Sequence, residues 1–191
     1  MPMRHMRKKE YDLSLYLFKP REALELINLI TQVITEDDSL GYARLVEQAV
    51  TAVPSEFFTG FETITVRIVD VEEARELNSE FRGIFKPTNV LSFPSGDSDF
   101  SIPGHLGDIL ICAPLVISEA MAEQGNPAHR LIHLTVHGIL HLVGYTHDNN
   151  SDGGKMEMLE IQILRSLGIQ NPYQVIDSAL GKNASDAAKR I

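Results

Sequence analysis

Apolar side chains alternate with polar ones over two stretches of this chain. In Tyr11–Phe18, Leu13, Leu15 and Leu17 fall on one side, with Asp12, Ser14 and Tyr16 on the other. In Thr63–Val69, Ile64, Val66 and Ile68 alternate with Thr65 and Arg67. A period of two predicts strands. Between them, Arg21–Thr35 carries Leu24, Ile27, Ile30 and Ile34 at helical spacing, which predicts a helix, and a second helix follows over Tyr42–Ala52. Asp70, with Glu73 three residues on, has the capping-box pattern and predicts a helix to about Phe81. Asn89–Phe93, closed by Pro94, reads as a short strand, 95–103 as a loop, and Leu106–Cys112 as the last strand. Pro114–Gln124, Pro127–Val143 and Lys155–Leu167 read as helices. Strands fill the first two-thirds and helices the rest. The fold class expected is α+β, a small mixed sheet packed on helices. Within one domain overall, 1–62 form an N-terminal strand and helices, 63–173 the core, and 174–191 a tail without core pattern.

Composition narrows the function. The chain has 191 residues, 43% hydrophobic and 23% charged, which suits one globular domain and excludes wholesale disorder. No run approaches the ~20 apolar residues of a membrane helix. The basic start is interrupted by Asp12 and Ser14, a poor signal peptide. The single Cys112 cannot form an intrachain disulfide and reads as a small buried hydrophobe. A cytoplasmic protein is expected. The net charge of −9 works against nucleic-acid binding in bulk, so any such role needs a local basic patch.

The chemistry concentrates in PAHRLIHLTVHGILHLVGYTHDNN, which holds five of the seven histidines. His129, His133, His137 and His141 recur every four residues, on one helical face. Two nitrogens on one zinc, each ~2.1 Å away, lie at most about 4.2 Å apart. Residues eight apart on a helix are separated by ~12 Å along its axis, so His133 and His141 cannot readily share an ion. His137 and His141 form the pair. Gly144 can end the helix in the left-handed conformation and turn His147 back to the same ion. Three neutral imidazoles leave a fourth position for water, the pattern of a catalytic zinc. The spacing is that of the metzincin peptidase helix, but Gly138 stands where those enzymes keep a general-base Glu. His133 reads as a bystander that can partner a ligand from behind. His129 and His105 read as structural or solvated.

The block HGILHLVGYTH, together with RGIFKPTNVLSFP (Arg82–Pro94) and HLGDILI (His105–Ile111), resembles the YbeY family of bacterial endoribonucleases, from roughly Thr63 to Tyr173. The resemblance implies an α+β fold with a central metal-binding helix. It also implies one zinc ion per chain on His137, His141 and His147, an active-site arginine at Arg82, and single-strand-specific cleavage of RNA. The process implied is maturation of the small-subunit rRNA 3′ end and ribosome quality control, with rRNA and the ribosomal subunit or its assembly proteins as partners. Thr146 departs from the family pattern, which usually has Asp there, and the region before Thr63 is longer than expected for the family.

The residues suit that chemistry. A guanidinium binds phosphate oxygens bidentately and stabilises charge developing on them. For a phosphodiester, such a zinc supplies either a hydroxide nucleophile or a Lewis acid on a non-bridging oxygen, and the missing helix Glu matters less because RNA offers its own 2′-OH as nucleophile. Lys86, Arg67 and Arg75 could widen a basic patch around Arg82. Two other classes remain open on the residues: an assembly factor with a structural metal, and a zinc hydrolase of a non-RNA substrate, against whose peptidase form Gly138 argues.

Overall fold

The computed structural model of the chain describes residues 27–96, 102–146 and 150–173. Its sheet has four strands: β1 (Asn28–Val33), β2 (Thr63–Val69), β3 (Val90–Pro94) and β4 (His105–Cys112), in the order β1-β2-β4-β3. β1 and β4 run parallel to β2, and β3 runs antiparallel to β4. The helices are α1 (Tyr42–Ala52), α2 (Val71–Arg82), α3 (Ala113–Ala122), α4 (Pro127–Leu142) and α5 (Asn150–Ser166). This is the α+β class with a mixed sheet that the alternation of patterns predicts.

One expectation fails. Residues 28–33, inside the helix expected over Arg21–Thr35, form edge strand β1, paired with β2 from Asn28↔Thr63 to Val33↔Ile68. Leu29, Thr31 and Val33 are half-buried, while Asn28, Ile30 and Gln32 are exposed. The period is two. Ile30, Thr31, Val33 and Ile34 are β-branched and stiff at χ1, and the edge of β2 was free to take them. The strand expected at Tyr11–Phe18 lies outside the described residues.

α2 begins as read: the Asp70 side chain accepts the Glu73 backbone N–H at 3.0 Å. Gly83, at φ 69°, closes the same helix in the left-handed conformation. Two cores sandwich the sheet. Ile64, Val66, Ile68, Leu106, Ile109 and Ile111 face α1, α4 and α5 on one side. Leu91, Leu110 and Cys112 face Ala74 and Leu77 of α2 on the other. Cys112 is buried there, as its apolar setting implies. α4 is buried nearly all round, from Leu131 through Val136 and again at Gly138, Ile139, Leu140 and Leu142. Such a helix belongs at the centre of a domain.

Glycine sets how close α4 comes to the sheet. A Cβ on Gly138 would stand 2.8 Å from Cγ2 of Ile109. Between the pairs Thr63↔His105 and Thr65↔Asp108, β4 carries one residue more than β2, a bulge at Leu106–Gly107. Gly107 adopts φ 145°, and a Cβ there would meet the Phe93 carbonyl oxygen at 2.4 Å and Leu142 Cδ2 at 2.9 Å. The C-terminal end of α4 therefore lies on the Gly107–Pro94 end of the sheet. No helix among the described residues is long and apolar enough to cross a membrane.

Candidate metal centre

His137 and His141 sit one turn apart on α4, half-buried, with their Nε2 atoms 3.0 Å apart. Each ring is fixed from behind. The Glu160 carboxylate takes the His137 Nδ1 hydrogen at 2.7 Å. The Tyr145 carbonyl takes the His141 Nδ1 hydrogen at 2.8 Å. Both acceptors can only accept, so in its neutral form each imidazole carries its hydrogen on Nδ1 and turns an Nε2 lone pair toward the other. Two lone pairs at 3.0 Å repel unless a cation lies between or beside them. Paired, backed nitrogens of this kind fit a transition metal.

The turn after α4 builds half of that arrangement. Gly144 has φ 97°. The Tyr145 N–H bonds the Leu140 carbonyl at 2.9 Å, and the Gly144 N–H bonds the His141 carbonyl at 3.0 Å. This is a Schellman-type end, as the Gly144 spacing predicts. It swings the Tyr145 carbonyl back onto His141. His147, three residues beyond Gly144, lies outside the described residues.

Glu160 escaped the sequence reading. It is 0% exposed, on the inner face of α5 among Met156, Leu159, Ile163 and Leu164. One oxygen serves His137, and the other receives His133 Nε2 at 3.2 Å and the Tyr173 hydroxyl. Burial pushes the carboxyl up. Hydrogen bonds from His133, His137 and Tyr173, with the charge of His137, outweigh it and hold the group down at about 2. Burial and the Glu160 hydrogen bond in turn push the Tyr173 hydroxyl well above its ordinary range. The available signal was positional: a glutamate at i, i+4 from Met156 and i, i−3 from Ile163 occupies an apolar stripe, where a charge needs a buried partner.

His133 is 7% exposed and reaches Glu160, with its ring edge-on to those of His137 and Tyr173. Ligand atoms of His133, His137 and Glu160 lie within 4.8 Å of one another, so this trio could also hold an ion. Within it three donors meet one carboxylate, and the buried His133 Nδ1 has no hydrogen-bond partner among the described residues. The His137 and His141 Nε2 atoms converge at 3.0 Å beside this trio. Of the remaining histidines, His129 is exposed and His105 bonds Thr63 and Asp108.

Arg82 is the last residue of α2, exposed, and makes no hydrogen bond or ion pair among the described residues. Its neighbour Phe81 packs edge-on against Phe93, with centroids 4.8 Å apart. Phe93 adjoins Pro94, the partner of Gly107, over which Leu142 lies. The arginine end of α2 and the histidine end of α4 thus both lie toward the Gly107–Pro94 end of the sheet, on opposite faces. Arg67 is engaged by Glu73 and Gln32, and Arg75 by Glu72, so neither joins Arg82 as a free charge.

A family model described as Endoribonuclease YbeY matches residues 29–168, reaching back across β1 and α1 beyond the motifs that carry the resemblance. Relatives named Endoribonuclease YbeY include that of Coxiella burnetii (strain RSA 493 / Nine Mile phase I), 49% identical over 115 residues, 58% of this chain and 73% of that one. That of Halorhodospira halophila is 49% identical over 116 residues (58% and 74%), and that of Alteromonas mediterranea 46% over 112 (59% and 71%). Among solved structures, the solution structure of TM1509 from Thermotoga maritima aligns with 80% of this chain and 99% of its own, at TM-score 0.48 and 24% identity. With the family model spanning residues 29–168 and relatives 46–49% identical over 112–116 residues, the chain belongs to the YbeY endoribonuclease family.

Proposed function

We propose that the protein is a zinc-dependent, single-strand-specific endoribonuclease that matures the 3′ end of small-subunit rRNA and serves ribosome quality control in the cytoplasm, on rRNA within a ribosomal particle. Family membership supports the class of reaction. The observation that carries the metal is the His137–His141 pair, whose Nε2 atoms converge at 3.0 Å with both rings backed by acceptors.

In this reading His137, His141 and His147 hold one zinc ion. When bound, zinc supplies Lewis acidity and brings the pKa of water toward neutrality. The protein's own groups do the rest. Glu160 holds the His137 ring by its Nδ1 hydrogen, with Nε2 turned toward His141. The Tyr145 carbonyl does the same for His141. Arg82, with its guanidinium uncommitted among the described residues, binds the scissile phosphate bidentately and stabilises the charge that builds on its oxygens. The RNA brings the 2′-OH as nucleophile. Gly138 carries no base, and its place against Ile109 leaves no room for one. The acidic chain makes RNA affinity rest on few contacts, which favours a substrate already presented in a ribosomal particle.

The test is metal analysis with cleavage of a single-stranded RNA, before chelation, after it, and after zinc is restored. One equivalent of zinc is expected, with activity lost and regained alongside it. Undiminished cleavage by the metal-free chain overturns the reading.

A further inference from the structure

The segment from Phe81 to Lys86 is exposed at every residue. Phe81 is 59%, Ile84 51% and Phe85 75% exposed, an apolar cluster on a face where such side chains find no core. The loop is not loose. The Ile84 N–H bonds the Asn78 carbonyl, the Lys86 N–H bonds the Ile84 carbonyl at 2.8 Å, and the buried Asn78 side chain donates to the Lys86 carbonyl at 2.7 Å. The fold holds Phe85 out in water, with the Arg75 guanidinium 5.4 Å from its ring centre.

Charge says what covers it. From Phe81 to Gly96 the chain carries Arg82 and Lys86 and no carboxylate, within a protein of net charge −9. Arg82 lies on the α2 stripe of Asn78, on which the loop is anchored, and Arg75 on the same stripe is paired with Glu72. Glu76 and Glu80 fall on a different side of the helix by the same periodicity. Exposed aromatic faces interleaved with cations match single-stranded nucleic acid, whose bases stack while its phosphates pair.

We infer that Phe85 is a base-stacking platform that holds single-stranded RNA next to Arg82, with Lys86 on a flanking phosphate. The inference rests on the RNA reading above and adds the surface that recognises the strand. Loss of one stacked base corresponds to about a tenfold change in affinity. The experiment is steady-state cleavage of a short single-stranded RNA by the zinc-loaded full chain. Binding of its 2′-O-methyl counterpart is followed by fluorescence anisotropy. Phe85→Ala should raise KM and Kd about tenfold with kcat within about twofold, and Phe85→Trp should restore parent values. An abasic site opposite the platform should weaken binding to the parent and add little in Phe85→Ala. A KM and Kd unchanged in Phe85→Ala overturn the inference and leave the patch to a protein partner. If the parent binds with this Phe85 dependence but does not cleave, the nuclease reading falls while the platform stands.

Discussion

Replacing Glu160 by Gln should weaken zinc binding by about 2- to 30-fold in a chain that still folds. The carboxylate is 0% exposed and bonds His137, His133 and Tyr173. A Gln side chain keeps its shape and can still accept the His137 Nδ1 hydrogen. What it loses is the charge and the second accepting oxygen, since an amide NH2 cannot accept from His133 Nε2 or the Tyr173 hydroxyl. Hydrogen bonds to ionised groups contribute about 1.5–3 kcal/mol, against roughly 1 for neutral ones, so the bond that backs His137 weakens by about 0.5–2 kcal/mol. That corresponds to roughly 2- to 30-fold in the affinity of the ligand it orients, overlapping the general cost of removing an outer partner of a metal-bound histidine. Competition for zinc against a chromophoric chelator gives the affinity, and the melting temperature of the metal-free chain reports folding. A folded Glu160→Gln chain with parental zinc affinity would refute the argument that Glu160 orients a ligand. Loss as complete as that of His137→Ala would refute it in the other direction, making Glu160 a ligand in the trio with His133.

His147→Ala should lose most of the zinc and His133→Ala should keep it within about tenfold, read by metal content after gel filtration; equal loss in both would put His133 on the ion. Gly138→Ala should lower stability by roughly 1–3 kcal/mol in chemical denaturation, because its Cβ would stand 2.8 Å from a buried Ile109 and overpacking outweighs the better helix propensity. For the same reason Gly138→Glu should gain no cleavage of casein, and activity there would show a cleft that the packing denies. Arg82→Ala should slow single-turnover RNA cleavage about tenfold or more with melting temperature and zinc content unmoved, and Arg82→Lys should rescue in part, since an ammonium cannot make the bidentate fork. A parental rate in Arg82→Ala would make it an ordinary surface charge.

The sequence alone determined what depends on neighbours along the chain. The capping box at Asp70, the three helices of the C-terminal half, and the glycine turn after His141 are set by contacts within a few residues. So is the His137–His141 pair, because four residues of helix bring any two side chains onto one face. Other features needed partners distant in sequence. Residues 28–33 fit a helical spacing as written and became a strand because β2 offered an unpaired edge. Gly138 looked like a missing base, but it is small because β4 runs beneath it. Glu160, 23 residues beyond His137, could be tied to the site only when α5 packed its inner face on α4 and left the carboxylate facing the histidines. Local periodicity tells which face of an element is apolar; which element that face meets, and so which buried charge finds its partner, is decided by the tertiary packing.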